Sequence, residues 1–356
     1  MKLPRPLQAI APSLVGAALA VAGIATARAE GLEVRVLSAV ADAVPDPTEK
    51  TVVSGTAVTL IAAARSAKTG LVAVAPRVVW ARGERPRKAR LPDTARDGSS
   101  KVRWFKVEAA QRSLSNTDPS FHWEPIEYRD VPIPACDDRW TCPADVRASI
   151  FGDRGGLGTM AFKVEVSLDG LRGSSPGSEK LYRGGLGEAV ARVTVRRDDS
   201  YLGYLTELFN TPYIWGSAGT PDSIHQAERR IGSDCADFVT YGVRRLGHEV
   251  PYTSTWTLPK YARELASSPG PDEEGVYRDE KGERIVVGDK GIRPGDLLLF
   301  KGHVGAFARD EEPLGVFTSS DLMIHTCWAE PVEEPIAESG YDKRPLRVLR
   351  WRALER

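Results

Sequence analysis

The chain has 356 residues, and its 48 Lys and Arg balance its 48 Asp and Glu, so the formal net charge is zero. That balance excludes nucleic acid as the main partner, because phosphate backbones are bound through an excess of positive charge. With 42% hydrophobic and 27% charged residues the composition is that of a folded globular chain with room for about two domains. Only 4 Cys and 5 His are available to build a reactive site.

Lys2 and Arg5 precede an uncharged run over 9–25, which Ala27-Arg28-Ala29 closes. A basic start, an apolar stretch and a small-x-small site predict a signal peptide over 1–29 and an exported protein, periplasmic or extracellular. Pro12 and the many small residues argue against a membrane anchor. No later segment approaches about 20 apolar residues, so the mature chain is expected to carry no integral membrane span.

Residues 30–197 read as an all-β accessory domain, a sandwich or a pair of small barrels. Met160, Phe162, Val164, Val166 and Leu168 alternate with polar or small residues, the period of a half-buried strand. Ala191, Val193 and Val195 repeat the pattern. Cys136 and Cys142 lie in a Pro-rich polar stretch that reads as a surface loop. In an oxidising compartment they are expected to form a local disulfide; a metal pair is the alternative, with no His or second Cys pair nearby. Trp80, Trp104, Trp123 and Trp140 are candidates for ligand stacking or for the core.

From 198 to 356 helical spacing comes first and strand patterns later, which predicts an α+β region with helices packed on an antiparallel sheet. Asp199 or Ser200 can cap a short first helix. Ser233 or Asp234 can cap a second one that opens at Cys235 and ends near Gly247. Cys235, Val239, Gly242, Val243 and Leu246 share one face of it. The thiol therefore sits in a first helical turn. A free thiol has a pKa of about 8.5, and a helix dipole shifts it by less than about one unit, so a full thiolate needs an imidazolium partner. Leu297–Phe300 reads as a buried strand, Lys301-Gly302 as a two-residue turn, and His303 opens the returning strand. A further strand ends in His325, which can bond the far nitrogen of His303 and orient it.

The pieces Thr211-Pro212-Tyr213-Ile214-Trp215-Gly216, Asp234-Cys235-Ala236-Asp237-Phe238, Pro294-Gly295-Asp296, Gly302-His303-Val304-Gly305 and Met323-Ile324-His325 occur in an order that resembles the NlpC-type family of papain-like cell-wall cysteine peptidases, over about residues 199–330. The resemblance implies a papain-like domain over 198–356. Its catalytic residues would be Cys235 as nucleophile, His303 as base and His325 as orienting group, with Tyr213 lining the site. Asp234 and Asp237 are the further candidates for substrate binding; Asp237 reads either as an amine ligand or as a solvated first-turn acid. The implied substrate is a peptidoglycan stem peptide, cut at an amide bond such as γ-D-glutamyl-diaminopimelate. The alternatives are a non-catalytic wall-binding protein that keeps the fold, or an acyltransferase. Three positions depart from the family pattern: Ser217 and Asp237 each stand where Gly is usual, and Ala236 stands where Ser follows the nucleophile. Segments 218–232, 266–291 and 309–321 read as insertions, either a rim or lid over the site or inert loops. His225 and His248 read as surface residues, and Trp256 and Trp328 as walls of a cleft or as packed. No metal-ligand spacing or phosphate-binding Gly loop is present, so neither metal nor cofactor is expected.

Overall fold

The computed structural model describes residues 31–92, 100–116 and 123–355. The signal-peptide reading over 1–29 lies outside them. Strands make up 39% of the structure and helices 11%, so sheets carry the architecture. No barrel closes among the described residues, and that removes the small-barrel alternative.

Two sheets build the N-terminal region. The first pairs Val58–Ser66 with Glu33–Val40, Thr141–Pro143 and Gly70–Ala73, all antiparallel. The second runs in the order Lys50–Val53, Ala191–Arg196, Gly158–Leu168, Ser100–Ala109, Tyr128–Pro132. Val34, Val36, Leu60 and Ala62 of the first sheet and Trp104, Phe162 and Val164 of the second bury into one cluster. Trp80, Trp104 and Trp140 are buried core residues. Cys136 and Cys142 are joined by a disulfide, but not in a surface loop: Cys142 lies within a strand of the first sheet, and both side chains belong to the shared core.

Alternation along Gly158–Leu168 is clean only from Phe162 onward; before it both faces are buried. The second face is covered by the chain that follows. Thr159 N–H donates to Phe209 O at 3.0 Å and Thr159 Oγ1 to Glu207 O at 2.8 Å.

Beyond residue 197, helix α1 (Tyr201–Leu205) starts at Ser200, whose hydroxyl accepts from Gly203 N–H. Helix α2 (Cys235–Arg245) starts at Asp234, whose carboxylate accepts from Ala236 and Asp237 N–H. Gly242 lets the two helices touch: a Cβ there would lie 2.7 Å from Leu205 and 2.8 Å from Tyr201. A six-stranded antiparallel sheet follows, in the order Ala262–Ser268, Leu346–Trp351, Leu297–Phe300, His303–Arg309, Leu322–His325, Val332–Pro335. Phe238, Val239 and Val243 of α2 pack on Leu297, Leu299, Val304 and Ala306.

The opposite face of this sheet is covered by two of the predicted insertions. Tyr277 and Ile285 from 266–291 and Phe317 from 309–321 bury against Leu298, Phe307, Met323 and Val348. These segments are therefore core-forming, because a sheet with two apolar faces needs a cover on both. The two halves of the chain are also stitched together. Tyr213–Trp215 pairs in parallel with Ser113–Ser115, and the side chains of Ile214 and Ile231 complete the N-terminal cluster.

Candidate functional site

Cys235 opens α2 because Asp234 caps it, and it is 7% exposed. The cap occupies the Ala236 and Asp237 amides and leaves that of Cys235 unclaimed by it, facing the helix mouth. The strand His303–Arg309 lies under α2, and the Val304 amide faces the Cys235 sulfur.

His303 is fully buried at the first position of that strand, after the Lys301-Gly302 turn in which Gly302 has φ +79°. Strand alternation groups His303 with Phe300, directly across the turn, on the face away from Val304 and Ala306. By strand alternation the imidazole therefore stands on the face opposite the one on which α2 packs, at the end of the strand where Val304 meets Cys235. Tyr341 stacks on His303 with ring centres 4.2 Å apart, and burial pushes its hydroxyl well above the usual phenol range. His303 Nε2 is 2.9 Å from His325 Nδ1. His325 Nε2 is in turn 3.0 Å from Glu334 Oε1. His303 Nδ1 is buried with no hydrogen-bond partner, so no bond joins it to the sulfur. Gly305 makes the two-histidine contact possible: a Cβ there would lie 2.5 Å from Met323 Sδ and 3.0 Å from His325 Cβ.

The electrostatics differ from the thiolate–imidazolium expectation. Burial pushes the Cys235 thiol up, and the Asp234 carboxylate beside it adds to the shift, while the Val304 amide opposes it. Burial holds His303 well below the usual imidazole value, with His325 and Arg344 adding. Both shifts favour a neutral thiol and a neutral imidazole. Burial is the main cause of both, and at Cys235 the cap adds to it: the charge that satisfies the helix mouth also repels a thiolate there.

Tyr213 is buried beside the same helix start, 5.2 Å from the ring of Trp328. Asp237 is not a solvated acid. It is 4% exposed, accepts a hydrogen bond from Ser217 Oγ at 2.5 Å, and faces His225 Nε2 at 3.4 Å. Ser217 also accepts from Asp234 N–H at 3.0 Å. Two of the three departures from the family pattern, Ser217 and Asp237, therefore touch one another. Burial raises the Asp237 carboxyl well above its usual value, the Asp234 charge raises it further, and burial raises Asp234 itself to about 6. His225 is likewise no surface residue: it is 3% exposed, stacks on Tyr252 at 3.8 Å, and is pushed down to about 4 by burial. Asp234, Asp237, His225, Tyr252 and Trp123 line a pocket of about 740 Å³. The 218–232 segment supplies His225 and is thus the predicted insertion that reaches the site.

Cys327 and Cys235 are both free thiols; Cys327 Sγ is 3.2 Å from Tyr341 Oη. Trp256 and Trp328 are not packed but exposed, at 78% and 58%. Among the described residues no group of His, Cys, Asp and Glu is arranged to hold a metal ion, and no helix is long and apolar enough to cross a membrane.

Glu334 and Tyr341 are the site residues that sequence reasoning missed. The one signal for Glu334 was the Val332–Pro335 strand pattern directly after His325, whose hairpin register sets Glu334 opposite Met323, two residues before His325. No family model matches the chain, and neither does any curated protein or solved structure.

Proposed function

We propose that the chain is an exported, papain-like cysteine hydrolase that cleaves an amide bond in peptidoglycan stem peptides. The observation that carries this reading is the His303–His325 pair, with its one open ring nitrogen, at the end of the sheet where the first turn of α2 presents Cys235. Cys235 Sγ attacks the amide carbonyl carbon as its proton passes to His303 Nδ1. Because thiol and imidazole start neutral, transfer accompanies attack instead of preceding it. The oxyanion meets the Cys235 amide at the helix mouth. Collapse breaks the C–N bond, and the amine leaves with the proton from His303. Water, deprotonated by the same nitrogen, then hydrolyses the thioester to a carboxylic acid and the free thiol. His325 holds the His303 ring in orientation.

The pocket beside Asp234 and Asp237 is the binding site for a substrate amine in this reading. Among the described residues neither the buried Asp237 nor the half-buried Asp234 pairs with a Lys or Arg, and an ammonium group would supply the missing cation. Resemblance to the NlpC type suggests a γ-D-glutamyl-diaminopimelate bond as the one cut.

The test is digestion of purified wall fragments by the chain and by Cys235→Ala, with mass analysis of products. The expected result is loss of at least ~10³-fold in turnover. Equal product from both chains would end the proposal. A non-catalytic wall-binding protein is the second reading, favoured by the missing hydrogen bond between Sγ and Nδ1. Bonds of this kind often tighten only with substrate bound. Retained wall binding with no turnover by the unaltered chain would decide for it, and transfer of the acyl group to an added amine would mark a transferase.

A further inference from the structure

We propose that Glu334 is a positioning residue that sets the tautomers of both imidazoles, and so decides which nitrogen of His303 is free to receive the Cys235 proton. A neutral imidazole carries one N–H, on either nitrogen, and a carboxylate can only accept. The 3.0 Å contact with Glu334 therefore places the His325 proton on Nε2. His325 Nδ1 is then a lone pair. Its 2.9 Å contact with His303 Nε2 requires the His303 proton to be on Nε2. What remains is His303 Nδ1 as a lone pair, and this is the ring nitrogen that the structure leaves buried and without a partner.

The opposite arrangement fails twice. It would aim a lone pair of His325 at the carboxylate, and it would bury an N–H of His303 with nothing to accept it. With both rings neutral, each contact is thus readable in one direction only, and the direction runs from the carboxylate inward. Glu334 is well held for the task. It lies on the edge strand Val332–Pro335, opposite Met323. Its neighbour Glu333 pairs with Arg197, and Glu330, just before the strand, takes Arg154 at 3.2 Å. Its side chain is 26% exposed, so an apolar replacement of similar size is tolerable there.

The consequence for catalysis rests on the hydrolase reading, whereas the tautomers do not, and the experiment separates the two. Side-chain nitrogen resonances of ¹⁵N-histidine are read in the unaltered chain, in Glu334→Leu and in Glu334→Gln, without substrate. The unaltered chain should show both histidines protonated at Nε2 alone. Leu, which removes the acceptor, should give His325 a mixture of tautomers and lower kcat/KM on wall peptides by about 10-fold or more, chiefly in kcat. Gln can accept through its oxygen or donate through its nitrogen, so it should also give a mixture with a smaller loss. It is the deciding variant if Leu does not fold. Single Nε2–H tautomers that persist in the variants, or a kcat/KM within about twofold, would overturn the role of Glu334. Failure of the hydrolase reading would show separately, as no turnover by the unaltered chain or as turnover that does not depend on Cys235, and the tautomer readout alone would then decide the role of Glu334.

Discussion

A buried carboxyl without a cation works against the fold that holds it. Among the described residues, Asp237 has Ser217 and His225 beside it and no Lys or Arg paired with it. Its folded pKa is raised above the unfolded value of 3.8, so the folded chain keeps a proton that the unfolded chain releases. The contribution is unopposed below about pH 4, and stability falls as the pH rises through the window that opens there. Asp237→Asn should therefore raise the melting temperature at pH 7–8, by about 2–4 °C, and leave it nearly unchanged at pH 4. The same change should raise KM for amine-bearing substrates. A variant that melts no higher at pH 8 would show that Asp237 has a counter-charge. The sequence suggested Asp237 as either an amine ligand or a solvated acid, and the second alternative failed for a concrete reason: a first-turn position sets the side chain near the helix mouth, but not what packs over it. Here His225 of the 218–232 segment and Ser217 lie against it.

At the scale of elements, the pairing of His303–Arg309 with Leu322–His325 brings the two imidazoles together. The hairpin was legible, because Lys301-Gly302 supplies a turn with a glycine at positive φ and both flanks are apolar. The cap of α2 was legible for a similarly local reason, since an Asp at that position satisfies amides two and three residues on. Glycine 305 was not legible as more than a strand residue. Gly305→Ala would drive a Cβ against Met323 Sδ and toward His325 Cβ, and neither neighbour is free to retreat within a buried sheet. We expect Gly305→Ala to cost about 1–3 kcal/mol of stability in denaturant unfolding. It should also cut kcat by at least about 10-fold through displacement of His325. Stability and turnover close to those of the unaltered chain would mean that the two strands have room to spread.

For the whole molecule, the predicted division at residues 197 and 198 falls inside a shared structure. Ile214 and Ile231 fill the N-terminal cluster, Tyr213–Trp215 extends a strand pair begun by Ser113–Ser115, and Asn210 Nδ2 donates to Val146 O at 2.8 Å. Arg230, across the divide from Glu49, pairs with it and with the buried Glu207. A fragment of residues 198–356 should consequently lack a cooperative melting transition, because it would expose Ile214, Ile231 and the helix-start strand that carries Tyr213. A sharp transition in that fragment would show that its own core suffices.

The amino-acid sequence by itself determined what depends on near neighbours: the helix that opens at Cys235, the turn before His303, the strand alternation, and the order of the pieces that resemble a wall peptidase. Side-chain period and backbone hydrogen bonding act over a few residues, so their traces lie in the local pattern. Only the tertiary structure decided that Glu334 stands behind His325, that Ser217 and His225 enclose Asp237, and that two segments read as loops form the second cover of a sheet. Those outcomes depend on which distant surfaces bury one another, and the low dielectric they create moves protons as well as side chains.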